Sequence, residues 1–248
     1  MNCRNFEEKI DGILFSESYP DNLFKDGIKP YIKDSFRFKN AKRLLQNPEK
    51  KLIFDIGAYP GTSIYYFGEH NKIVGLGKTD EAFSNRISKC GHTIVDIDFE
   101  TQDIPTALLQ QADIVLMMEI IEHIRQPLKF LKKVTELLTS DGLLYLTTNN
   151  FSYIGYILKL LLNKSILDPI KTENTFYPGH CRYFLLHELE SALKDFGFSI
   201  IHKKYINFLP DSSLYKNKLF GVVKNGLINL SPQKHATHIE ILAQKQKK

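Results

Sequence analysis

The sequence predicts an α/β fold, a mostly parallel sheet covered by helices on both faces. Three observations predict it. Short apolar runs of strand length alternate with helix-patterned stretches. The runs are continuously apolar rather than alternating, as strands buried on both faces are. Several of them end abruptly in Asp, Gly or Glu. Such sheets bind ligands beyond the carboxyl ends of their strands, so the residues just after each run are the informative ones.

KLIFDIG (51–57) reads as the first strand, and Thr62–Glu69 begins the helix after it. NKIVGLG (71–77), HTIVDID (92–98), ADIVLMM (112–118) and LLYLTT (143–148) are the next four strands. Between the last two, Pro127 opens a helix with Leu128, Leu131, Val134 and Leu138 on one face. Asp141-Gly142 is expected to close that helix and turn into the fifth strand. A mostly apolar helix follows over Tyr153–Leu162, then a helix over Leu185–Phe196 stopped by Gly197. Phe198–Ile206 is a sixth strand, Leu214–Leu230 a weak amphipathic helix broken by Gly221 and Gly226, and Thr237–Gln244 a last strand.

The 248 residues suit one large domain. We read 1–248 as a single domain, with an N-terminal helical region over 1–50 and an insertion over 151–182. No apolar run reaches the roughly 18–20 residues that span a bilayer. The opening MNCRNFEEKIDGILF has early acids and no long apolar core, so it is not read as a secretory signal. Cys3, Cys90 and Cys181 are scattered without metal-type spacing, and a cytoplasmic location is expected. Of the net charge of +5, the stretch from Ile201 onward carries nine lysines against Asp211 and Glu240. These bases are not clustered as a nucleic-acid footprint would be, so a solvated surface is expected and a nucleic-acid partner is not.

Two stretches carry chemistry. After the first strand, Asp55-Ile56-Gly57-Ala58-Tyr59-Pro60-Gly61-Thr62 places two glycines four apart before a helix, where backbone can approach a ligand and free N–H groups can meet it. After the fourth strand, Met117-Met118-Glu119-Ile120-Ile121-Glu122-His123 sets two carboxylates and an imidazole within five residues. Charged groups at a buried strand end usually have a partner or a task. If the stretch is helical, Glu119, Glu122 and His123 share a face.

Together these residues resemble the class I S-adenosylmethionine (SAM)-dependent methyltransferases. The resemblance rests on D-x-G-x-x-x-G, on A-D-I-V-L-M-M-E-I-I-E-H-I, on T-S-D-G-L-L-Y-L-T-T-N-N (139–150) and on G-H-C-R-Y-F-L-L-H-E-L-E-S-A-L-K-D-F-G-F (179–198). It covers roughly Leu52–Tyr205 and is nearest to the branch with E-x-x-E-H after the fourth strand. It implies a Rossmann-like, doubly wound, seven-stranded sheet of order 3-2-1-4-5-7-6 with the last strand antiparallel, and SAM across the ends of strands one to four. It also implies a cofactor-binding set. Gly57 and Gly61, with Ala58 and Tyr59 between them, match the glycine loop, and Asp55 matches the acid that orients it. Asp98, or Asp96 in competition, matches the acid at the adenine amino group. Met117, Met118 and Glu119 line the cofactor. Two positions depart from the pattern. Tyr59 stands where the loop usually has a glycine, and Gly77 stands where an acid usually holds the ribose hydroxyls; Asp80 or Glu81 could substitute.

Methyl transfer from a sulfonium is an in-line displacement, so the protein has mainly to hold acceptor and methyl group close and dry. An oxygen acceptor also needs a base. His123 is the first choice, with Glu122 beside it. His180 and Arg182 are expected to fold over the acceptor, Arg182 suiting a carboxylate or phosphate, and Tyr177 to point the same way. Some E-x-x-E-H relatives, among them ubiquinone-biosynthesis and small-RNA 3′-end methyltransferases, hold a divalent metal on this cluster; here no metal dependence is expected. The apolar Tyr153–Leu162 stretch could cap the substrate, form a homodimer face or be core. The 150–166 pattern resembles methyltransferases of surface-polysaccharide synthesis. The expected acceptor is therefore an oxygen of a small molecule or sugar. A non-catalytic SAM-fold module and an RNA methyltransferase are the alternatives. An NAD-linked oxidoreductase would need G-x-G-x-x-G and an acid ending strand two, and has neither.

Overall fold

The computed structural model describes residues 3–14, 32, 35–167, 179–208, 225, 226, 228 and 230–247. Its centre is one seven-stranded sheet: β1 Leu52–Ile56, β2 Lys72–Gly77, β3 Thr93–Asp96, β4 Ala112–Met118, β5 Leu138–Asn149, β6 Phe198–Ile206 and β7 His238–Lys245. The order is β3-β2-β1-β4-β5-β7-β6. β1 to β5 pair in parallel, while β7 runs antiparallel to both β5 and β6. The expected sheet is thus present in order and in direction.

Helices α1 Cys3–Leu14, α2 Phe36–Leu44, α3 Thr62–Phe67, α4 Glu81–Lys89, α5 Pro127–Leu137, α6 Ile154–Leu161 and α7 Leu186–Asp195 accompany it among the described residues. Side chains alternate across each strand, so the sheet has two cores. Phe54, Ile56, Val115, Met117, Leu144 and Leu146 pack on the side of α5 and α7. Ile53, Ile114, Leu116, Met118, Tyr145 and Leu242 pack on the other side with Ile10, Leu14 and Ala41 from α1 and α2. Pro127 supplies a preset first-turn φ for α5, and Phe130, Leu131, Val134 and Leu137 are its buried stripe.

Three local expectations change. Asp141-Gly142 does not precede β5 but lies within it. Leu138 pairs Ala112 and Leu143 pairs Ile114, so residues 139–142 bulge out between the two pairings. Glu119–His123 is not an α-helix: Glu119 has φ 56° and only Ile121–His123 forms a 3₁₀ turn. The apolar helix at 154–161 has no buried residue and is therefore not core. The expected helix over Leu214–Leu230 falls mostly outside the described residues.

His92, at the start of β3, is buried, and its Nδ1 accepts from the Ile73 N–H at 3.2 Å. Burial, helped by Lys72, lowers its pKa from 6.5 to about 4. Protonation below 6.5 therefore favours the unfolded chain, and stability falls as pH drops from about 6.5 to 4. At about 1.4 kcal/mol per unit, the loss is on the order of 3 kcal/mol. Urea midpoints across that range should fall less steeply for His92→Asn, which keeps an acceptor near Nδ1; equal slopes would remove His92 as the cause.

Candidate functional site

The first part of the site is the turn after β1. Gly57 and Gly61 both adopt left-handed conformations, φ 78° and 99°, which a side chain disfavours. The Gly57 N–H donates to the Leu76 carbonyl at 2.8 Å, tying the turn to β2. A Cβ on Gly57 would collide with the Ile120 side chain, and Gly57 itself is exposed. Ala58 is buried beneath it. The Tyr59 ring is packed edge-on against Phe83 of α4, centroids 4.9 Å apart. Asp55 is buried at the end of β1; burial pushes its carboxyl up to about 7, against a weaker downward pull from the Ser63 hydroxyl.

Beside this turn lie the ends of β2 and β3. Gly77 is also left-handed, φ 146°, and a Cβ there would rest 3.6 Å from the Gly57 nitrogen, an ordinary contact. The strand therefore approaches the glycine turn closely with no acid of its own. Asp80 is committed to capping α4, accepting from the Phe83 N–H at 2.7 Å, while Glu81 is exposed in the first turn. Asp96 accepts from the Thr79 N–H at 3.1 Å. Asp98 accepts from the Glu100 N–H at 2.9 Å and pairs with Lys78 at 3.3 Å; the backbone bond, with help from Lys78, holds its carboxyl below the usual range.

The third part is the end of β4, which neighbours β1 in the sheet with Met117 opposite Ile56. Met117 and Met118 are buried on opposite faces. Glu119 and Glu122 then take different main partners, though both accept from Asn149 Nδ2, at 3.4 and 3.2 Å. The left-handed backbone turns Glu119 toward β7, where its Oε2 meets His238 Nε2 at 3.1 Å. Burial alone would raise the Glu119 carboxyl, but His238, Arg37 and the Thr147 hydroxyl outweigh it and hold the carboxyl down. Glu122 is fully buried and accepts from Thr148 Oγ1 at 2.8 Å and Asn149 Nδ2 at 3.2 Å. Burial, reinforced by the Glu119 charge, pushes it up.

The 179–184 segment docks onto this turn. The Cys181 and Arg182 N–H groups both donate to the Glu122 carbonyl, at 3.0 and 3.1 Å. Docking brings the His180 and His123 rings to 4.8 Å, with His180 Nε2 3.4 Å from Asn149 Nδ2. Ligand-type atoms of Glu122, His123 and His180 lie within 4.8 Å of one another, an arrangement that could hold a metal ion. Tyr156 of α6 donates to Asn149 Oδ1 at 3.3 Å, and its ring meets those of Tyr153 and Tyr183 at 5.0 Å each. Arg182 is exposed and lines a separate cleft of about 220 Å³ with Leu128 and Glu188, between α5 and α7. Tyr177 lies outside the described residues.

The sequence reading missed Asn149, which bonds Glu122 and adjoins His180, and His238, which pairs with Glu119. One signal for His238 was present: T-H-I-E-I puts a His and a Glu on one face of an otherwise apolar strand. An antiparallel last strand begins at the edge where the parallel strands end.

A family model described as a methyltransferase domain matches residues 33–203. The ubiquinone biosynthesis O-methyltransferase of Coxiella burnetii (strain RSA 493 / Nine Mile phase I) is 26% identical over 110 residues, 43% of this chain and 47% of that protein. The protein of the same description from Parvibaculum lavamentivorans is 20% identical over 165 residues, 57% of this chain and 64% of that one. The chain thus spans about half to two thirds of the length of these curated relatives. In fold it is similar to an S-adenosylmethionine-dependent methyltransferase from Mesorhizobium loti, with a TM-score of 0.58 and 18% identity, over 86% of this chain and 99% of that one. It is also similar to the Burkholderia thailandensis 1,6-didemethyltoxoflavin-N1-methyltransferase solved with S-adenosylhomocysteine, with a TM-score of 0.54 and 13% identity, over 93% and 92% of the two chains.

Proposed function

Because the chain belongs to the methyltransferase family matched over residues 33–203, we propose that it transfers the methyl group of SAM to an oxygen of a small molecule or sugar. Support comes from one juxtaposition at the carboxyl edge of the sheet. The left-handed glycine turn after β1 stands beside the end of β4, which carries the His123–His180 pair. The curated relatives are O-methyltransferases by name. The three tyrosine rings at 5.0 Å spacing offer a wall for a flat or sugar-ring acceptor.

Bound SAM supplies an already activated methyl group. Gly57 and Gly61 keep the turn open for its methionine part, with Asp55, Ala58 and Tyr59 shaping the turn from below. Gly77 would leave room beside it, Asp98 would meet the adenine amino group, and the backbone of Met117 and Met118, with Glu119, would line the cofactor. His123 would accept the acceptor's hydroxyl proton at an imidazole nitrogen, leaving the oxygen free to take the methyl group that SAM, when bound, would supply with its sulfur as leaving atom. Glu122 accepts from Thr148 and Asn149, so in this reading its part is to hold the turn and, through its carbonyl, the 181–182 segment. His180 and Tyr156, both beside Asn149, would stand on the acceptor side. Arg182, in its separate cleft, would act on an anionic acceptor only after turning inward.

A second reading is favoured by the Glu122, His123 and His180 cluster. Its oxygen and imidazole donors suit a divalent cation that would polarise the acceptor oxygen.

Calorimetric titration tests the main reading. Both SAM and S-adenosylhomocysteine should bind the full chain. Absence of binding by either at millimolar ligand would sink it, and binding without methyl transfer to any hydroxyl acceptor would leave a non-catalytic SAM-binding module.

A further inference from the structure

Among the described residues, seven of the ten large apolar side chains standing in solvent fall in two segments, 151–167 and 230–235. Leu158, Leu161 and Leu162 follow helical i, i+3 and i, i+4 spacing at the end of α6, with Leu161 77% and Leu162 67% exposed, while Leu160 on the opposite side of the helix and Leu167 beyond its end are exposed as well. Leu230, 85% exposed, precedes the turn whose Lys234 carbonyl accepts from Asn150 Nδ2 at 3.0 Å and Ser152 Oγ at 2.5 Å, so the second segment is bonded to the chain entering α6. Neither segment contains an acidic residue, although Asp168 directly follows the first in sequence, and both carry exposed lysines: Lys159, Lys164 and Lys234.

An exposed apolar stripe on a folded chain marks a contact surface. We propose that this one docks on an anionic lipid bilayer, with the α6 leucines entering the boundary between headgroups and acyl chains and the three lysines meeting lipid phosphates. An apolar helix face flanked by cations and free of carboxylates matches that environment on both counts. A symmetric dimer through the same face would bury these lysines in an apolar contact that offers no carboxylate to pair with them. The inner turn of α6 holds Tyr156 on Asn149, so the docked face adjoins the candidate acceptor site.

The test is co-sedimentation of the full chain with phosphatidylcholine vesicles containing or lacking phosphatidylglycerol. No cofactor or acceptor is added, so the result is independent of the proposed methyl transfer. The chain should sediment with the anionic vesicles and be released by high salt. Joint substitution Leu161→Glu and Leu162→Glu should lower the bound fraction on the order of tenfold. Both sites are exposed, so the melting curve should not change. Failure of the native chain to sediment, or equal sedimentation of the variant, overturns the proposal. So does light scattering that shows a native dimer and a monomeric variant, since the face would then belong to a second copy.

Discussion

Gly57→Val should remove SAM binding, weakening affinity by at least about a hundredfold, near 2.7 kcal/mol. Two effects act together. At φ 78° a β-branched side chain is a steric outlier, so the turn must rearrange. The added Cβ also points into the Ile120 side chain, at the start of the turn that carries Glu122 and His123. Gly57→Ala should show a milder loss, since it meets Ile120 but lacks the branch. Circular dichroism establishes that each variant is folded before titration. Unchanged affinity in folded Gly57→Val would mean that the turn after β1 is not the cofactor site.

Replacing the paired imidazoles should affect turnover rather than cofactor affinity. His123→Ala should lower kcat by about 10²–10⁴, the usual contribution of a positioned proton acceptor, with the SAM dissociation constant nearly unchanged. His180→Ala should reduce turnover less if His180 only orients its neighbour, and as severely if the two act as one unit. A chelator separates the two readings of the cluster. If His123 is a base alone, EDTA leaves kcat unchanged. If Glu122, His123 and His180 hold a metal, EDTA abolishes turnover and Mn²⁺ or Mg²⁺ restores it. Full activity in His123→Ala would overturn both.

Much of the fold was readable because local patterning and global architecture agree. The apolar runs of β1, β2 and β4 are of strand length and bounded by Gly, Asp or Glu, as strands buried on both faces are, and their ends pointed to Gly57, Glu122 and His123. What was not readable depends on residues far apart in the chain. Glu119 was expected on one face with Glu122, and the two carboxylates do share the Asn149 amide, but the ion-pair partner of Glu119, His238, is contributed by the last strand. No spacing rule within 117–124 encodes such a contact. Docking of 180–182 on the Glu122 carbonyl is likewise a backbone interaction, to which side-chain identity gives no clue. In α6 the failure has a different cause. A helix apolar on all sides has no periodic contrast, so its pattern does not distinguish a buried helix from one that faces outward.

Glu240 of β7 is wholly buried, and its carboxylate receives the Tyr145 hydroxyl at 2.6 Å, Asn40 Nδ2 of α2 at 3.1 Å and lies 3.2 Å from His202 Nε2. The residues ahead of β1 are thereby wired into the far side of the sheet, across a separation of 200 positions in the chain. A shortened version starting at Lys51 would keep every strand but leave this carboxylate short of a donor and uncover Ile53, Ile114 and Leu116, which share a core with α1 and α2. A buried acceptor stripped of a partner costs about 1–3 kcal/mol, before any loss of apolar contact. The seven strands are therefore not a portable module: the N-terminal helices are part of what makes them fold.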